Sequence, residues 1–318
     1  MNEVPMGSRD DVLAGGGTGG TTSSPMAFPI PADELGSVSI VPNGSFEAGS
    51  YQTFVLTYVA GKFGIDDSGS MRVCFRFASD QTRPQFEDPK GPNYTTIEAS
   101  NNAVLTYHYD PKGNVRPWDR TLYIKVVRGF LREGDKITIT FGDRSGGSPG
   151  MRLQTFCEDS YEFHTLIDPI ATYCYQPMPV QPVIKIIPGK PDRYLAVAPT
   201  IRAIDESFSI KFKGEDKWGN PSDQCDIQLY PRASHPVQNL PDVISLKPGE
   251  FFGVIEGLSV ADAADLHIDF LDDAGAVMCR TNPIRIEPTP LSRHFWGDLH
   301  GQSEETIGTG SAEAYFAF

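Results

Sequence analysis

Lys136-Ile137-Thr138-Ile139-Thr140-Phe141 alternates apolar and polar residues without a break. Side chains in a strand point to opposite faces with a period of two. Ile137, Ile139 and Phe141 therefore share one face, and Lys136, Thr138 and Thr140 share the other. Isoleucine and threonine are stiff at the β-carbon and fit a pleated surface better than a helix. The same alternation recurs nearby. Within Arg72–Phe77, Val73, Phe75 and Phe77 oppose Arg72 and Arg76, and Leu122, Ile124 and Val126 make another one-sided row. Burying such a row contributes about 1.5–3 kcal/mol per large side chain. Short one-sided strands broken by Gly, Pro, Asn and Asp predict two facing antiparallel sheets between Ser37 and Asp168.

Gln176-Pro177-Met178-Pro179-Val180-Gln181-Pro182 is dense in proline, which predicts a stiff, extended linker over 177–182 and bounds the first domain at 37–176. A second alternating set fills 183–288. There Phe208, Ile210 and Phe212 oppose Ser209, Lys211 and Lys213, and Leu266, Ile268 and Phe270 oppose His267 and Asp269. Between them, Gly214-Glu215-Asp216-Lys217-Trp218-Gly219-Asn220-Pro221 resembles a turn common in bacterial immunoglobulin-like domains. The expected fold class is therefore mainly β, with two antiparallel β-sandwich domains of immunoglobulin-like type. Asp216 and Asp226 lack the ordered ligand spacing of a calcium hand and are expected on a solvated acidic face. Residues 1–36, with Gly15-Gly16-Gly17-Thr18-Gly19-Gly20 at their centre, are expected to be a disordered tail.

Composition excludes some functions. A net charge of -14 and a pI near 4.8 repel phosphate backbones and anionic lipid, so neither nucleic acid nor membrane is an expected partner. No basic segment precedes an apolar core at the N-terminus. The five cysteines are scattered, with no Cys-x-x-Cys pair, which suits reduced thiols and a cytoplasmic location. Cys74 shares a strand face with Arg72 and Arg76, which favours a thiolate, yet a plain packed thiol is expected. His108 and His164 have no second histidine or cysteine at ligand spacing. Residues 83–94 and the hairpin loop at 142–150 are read as structural, with Arg144 and Arg152 the side chains to watch.

The last stretch has a different character. A strand over Arg293-His294-Phe295-Trp296-Gly297-Asp298-Leu299-His300 places Asp298 beside His300 on one face, and Ser311 is placed to cap a helix starting at Ala312. Phe295-Trp296-Gly297-Asp298-Leu299-His300-Gly301-Gln302-Ser303 resembles the opening motif of the family known as domain of unknown function 3604. That family is related to the PHP superfamily of metal-dependent hydrolases. The resemblance implies the first strand, loop and helix of a β/α barrel over 291–318, and hydrolysis of a phosphoester-type bond using zinc, manganese or iron. His300 then stands at a metal-ligand position, and Gln302 stands where the family has its second histidine. Asp298, Glu304 and Glu305 are further candidate ligands. Only 18 residues follow His300, whereas such a barrel needs roughly 200. A truncated barrel is therefore expected, inactive as this fragment and holding no metal tightly, whose partner is the missing barrel in cis or on a separate chain. The alternative is a non-catalytic β-sandwich binding module, or an assembly partner of a separate catalytic chain.

Overall fold

The one-sided rows build the first core. A computed structural model describes residues 30–290, 292, 295, 301–303 and 311–317, and the chain is mainly β. Phe54–Ala60 lies between Gly36–Val41 and Lys136–Phe141, with Thr95–Ala99 completing an antiparallel sheet of four strands. The facing sheet has five, in the order Gln176–Pro177, His164–Asp168, Ser70–Phe75, Arg120–Arg128, Val104–Asp110. Ile137, Ile139 and Phe141 point inward as the alternation predicts, as do Leu122, Ile124 and Val126. The sheets meet through aromatic edges, with Phe75 against Phe141 at 5.9 Å between ring centroids.

Three boundaries differ from the sequence expectation. Residues 30–36 of the expected 1–36 tail belong to the fold: Leu35 is buried, and its carbonyl accepts the Tyr58 hydroxyl at 2.9 Å. Residues 1–29 lie outside the described residues. The proline-rich 177–182 stretch is packed rather than a free linker. Gln176–Pro177 joins the five-stranded sheet, Met178 is buried, and the Gln181 amide bonds both backbone groups of Thr165. Finally, Val183–Ile187 belongs to the first core. It pairs antiparallel with Glu158–Glu162 and parallel with Ser45–Glu47, and it buries Ile184 and Ile186. Alternation fixes which face a strand buries but not which sheet it joins. The segment 142–150 likewise leads into Met151–Arg152, which pairs with Tyr51–Gln52, so it is a crossing and not a hairpin.

The second core lies within 196–286, among three sheets. Phe208, Ile210 and Phe212 of strand Phe208–Glu215 face inward, as the sequence predicts. The expected Leu266-to-Phe270 strand divides at His267. Ala264–Leu266 pairs with Ile284–Glu287, and Ile268–Leu271 pairs with Ile227–Ala233. Asp269 is consequently buried, and the Arg280 guanidinium meets its carboxylate through Nε at 2.6 Å and Nη2 at 3.2 Å. Two strand pairings among the described residues are parallel, Val183–Ile187 with Ser45–Glu47 and Ile201–Ala203 with Ile284–Glu287, so the sheets are not wholly antiparallel.

The corner turn at Asp216–Asn220 joins the cores. Gly219, at φ +93°, adopts a left-handed backbone that a side chain would strain. Asp216 is 2% exposed rather than solvated. Its carboxylate accepts the backbone N–H groups of Trp218, Asn220 and Gly189 and the Asn220 side-chain amide, at 2.9 to 3.1 Å. Asn220 then reaches the first core: its Oδ1 accepts the Cys157 N–H at 3.1 Å, and its Nδ2 donates to the Thr155 carbonyl at 2.9 Å. The Trp218 indole N–H donates to the Ala48 carbonyl at 3.0 Å, its ring lying where a β-carbon on Gly49 would stand.

Candidate functional site

Asp298, His300, Glu304 and Glu305 lie outside the described residues, so of the terminal candidates only Gln302 is placed, and it is exposed. The helix Ala312–Ala317 begins where the sequence predicts, with Ser311 Oγ accepting the Ala314 N–H at 3.1 Å. It buries none of its residues; Phe316 is 84% exposed and Phe295 87%. Among the described residues, no three His, Cys, Asp or Glu side chains converge as metal ligands.

The other singled-out side chains are held structurally. His164 Nδ1 lies 2.6 Å from Glu162 Oε1, and its ring stacks on Trp118 at 4.7 Å. His108 is exposed and leans on Tyr123. Arg144 donates to the carbonyls of Pro149 and Tyr51, and Arg152 to those of Leu153 and Asp80. Cys74 is fully buried. Burial pushes its thiol up to about 11, outweighing Thr121, the Arg72 charge and Asn114, so the arginine does not produce a thiolate.

What the sequence reading did not find is a cleft of about 750 Å³ between the two cores. That volume lies within the usual range of small-molecule sites, roughly 300–1,000 Å³. Its second-core wall is the outer face of Arg193–Val197 and Phe208–Glu215, with Leu195, Val197, Phe251 and Phe252 as the apolar surface. Val197 and Phe252 are each 61% exposed. The first-core wall is the end of the reassigned strand, Ile187-Pro188, and the start of Glu158–Glu162. The cleft thus exists because Val183–Ile187 belongs to the first core and the Asp216 corner holds the second core against it.

Charges rim this apolar surface in an ordered way. Lys185 pairs with Asp159 at 2.7 Å and also feels Asp223; Lys213 pairs with Glu215 at 2.9 Å; Glu158 pairs with Arg76 at 3.2 Å. Lys211 has no ion pair among the described residues. It stands directly opposite Val197 on one neighbouring strand and Val254 on the other. Cys157 opens onto the cleft, but burial, followed by the charges of Asp216, Asp159 and Asp223, pushes its thiol up to about 11. It is a poor nucleophile at neutral pH. Among the described residues, the lining pairs no base with a nucleophile.

One signal for this cleft is present in the sequence. Tyr194-Leu195-Ala196-Val197-Ala198 is apolar on both faces, the pattern of a strand covered on both sides, and Phe251-Phe252 leads into Gly253–Leu258, the opposite edge of the same sheet.

No family model matches the chain, and no curated protein matches it. Among solved structures, the adhesin InvE of Yersinia pseudotuberculosis aligns at TM-score 0.24 and 8% identity, over 79% of this chain and 58% of that one. The collagen adhesin CNA of S. aureus aligns at TM-score 0.19 and 7% identity, over 80% of this chain and 96% of that one. This chain therefore spans 58% of the length of the InvE chain.

Proposed function

We propose that the chain is the β scaffold and first metal-site motif of a metal-dependent hydrolase resembling the domain of unknown function 3604 family, acting on a phosphoester-type bond. In this reading both β cores are sandwiches of immunoglobulin-like type and 291–318 opens a β/α barrel. The observation that carries it is the terminal segment. The motif residues are followed by a capped helix whose Tyr315 and Phe316 are exposed, as are the first strand and helix of a barrel before the remaining layers pack on them. The donor types fit a divalent ion: one imidazole at His300, carboxylates at Asp298, Glu304 and Glu305, and the exposed amide of Gln302. A divalent metal, when bound, would supply a hydroxide nucleophile near neutral pH. His300, with the carboxylates of Asp298, Glu304 and Glu305, would hold and orient it. All five cysteines are unpaired, which supports a reducing, cytoplasmic setting.

The test is metal retention. The chain alone is expected to lose zinc or manganese on dialysis. A longer form supplying the rest of a barrel, in frame or as a second chain, is expected to keep the metal and hydrolyse p-nitrophenyl phosphate, with both properties lost in His300→Ala. Metal retention unchanged by His300→Ala sinks the reading.

A second reading, that of a binding module, is favoured by the apolar cleft between the cores, whose wall leaves Phe252 and Val197 in solvent.

A further inference from the structure

We infer that the cleft binds an amphiphile made of an apolar body and a single anionic head, a carboxylate or a sulfonate, with Lys211 as the head-group partner. The inference rests on the binding-module reading and is independent of the metal motif.

The apolar requirement comes from the wall. Leu195, Val197, Phe251 and Phe252 are exposed on the outer face and adjoining edge of one sheet, where a strand of this composition ordinarily has cover. Moving a ligand's apolar body against them removes apolar surface from water on both partners. The single charge comes from the rim. Lys185 and Lys213 already have carboxylates at 2.7 and 2.9 Å, and Glu158 has Arg76. Among the rim cations Lys211 is the one without a carboxylate partner among the described residues, flanked across both adjacent strands by exposed valines, while the rim carboxylate Asp223 acts on Lys185. Lys211 is exposed, and no protein carboxylate meets its head among the described residues. An anionic group on an apolar body satisfies both features at once. At Lys211 a cationic head meets like charge, and a purely apolar molecule leaves the ammonium beside a hydrocarbon surface without a counter-charge.

The experiment uses the whole chain and a fluorescent probe of the stated chemistry, 1-anilinonaphthalene-8-sulfonate, displaced by twelve-carbon chains differing only in head group. Saturable probe binding is expected, at one site per chain. Dodecanoate should displace the probe at a concentration lower than dodecylamine by about tenfold or more, the scale of one well-formed charge contact. Lys211→Glu should reverse that order. Phe252→Asp should abolish probe binding. Both side chains are exposed, so the melting temperature should stay within a degree or two, about the shift expected of surface changes. Saturable binding lost in Phe252→Asp but indifferent to head-group charge, or a carboxylate preference that survives Lys211→Glu, overturns the head-group assignment and leaves the binding cleft. Probe binding that Phe252→Asp does not alter overturns the cleft itself, and the binding-module reading with it.

Discussion

At the residue scale, Asp216 is the most constrained side chain of the joint. Four donors converge on one buried carboxylate, three of them backbone N–H groups. Burial alone raises a carboxyl pKa. Here the Asn220 amide and the N–H groups of Gly189, Asn220 and Trp218 outweigh it and hold Asp216 below the usual carboxylate value. Glu215 is also lowered: burial opposes ionisation, but Lys213 and Arg193 overcome it. Asp269 is lowered by Arg280 foremost. A depressed folded-state pKa contributes stability that is present above the unfolded value and is lost as pH falls through the folded one. The melting temperature should therefore be flat near neutrality and fall below about pH 4, where unfolded aspartate begins to take up protons. Asp216→Asn, which turns an amide toward N–H donors, should lose about 1–3 kcal/mol at pH 7 and flatten that acid limb. An acid limb unchanged in the variant would falsify this role. The Asp-x-x-Gly-Asn spacing was legible in the sequence as a turn. That its aspartate is buried was not, because burial depends on Gly189, 27 residues upstream.

At the scale of elements, the strands were legible and their partners were not. Ile137, Ile139 and Phe141, or Phe208, Ile210 and Phe212, need only period two to declare which side they bury. Val183–Ile187 has the same alternation whichever sheet receives it, and only its pairing with Glu158–Glu162 and Ser45–Glu47 assigns it to the first core. The proline-rich stretch before it looked like a boundary because proline excludes helix. Yet Gln176–Pro177 pairs at a sheet edge, where a missing N–H is tolerated. A fragment of residues 30–190 is expected to fold cooperatively, whereas one of residues 30–182, lacking Ile184 and Ile186, should have a lowered melting temperature or no transition. Circular dichroism melts of the two fragments decide it, and equal stability would return the strand to the second core.

At the scale of the molecule, the cleft and the corner are one construction. Trp218 and Asn220 bridge from the second core to Ala48, Thr155 and Cys157 of the first, and the cleft opens beside that bridge. The cores should therefore unfold as a single calorimetric unit. Replacing Trp218 and Asn220 by alanine together should split the endotherm into two, since coupling between cores of this size is carried by few side chains. A single unsplit transition in the double variant would show that other contacts hold the cores together. Beyond the two-faced apolar run at Tyr194–Ala198, the cleft was not legible in the sequence, for a geometric reason. Its walls come from outer faces of strands that belong to different cores, and periodicity reports the inner faces.

The position of Val183–Ile187 also governs how the molecule carries load. The strand is bonded on both sides within the first core, and the chain runs on from Pro188 to Arg193–Val197 of the second. Tension between the cores, once the corner gives way, pulls along this strand and across its ladder bonds. Those bonds then resist together, in shear, instead of opening one after another. The junction is mechanically a tenon set into the first core, and the second core is fastened through it.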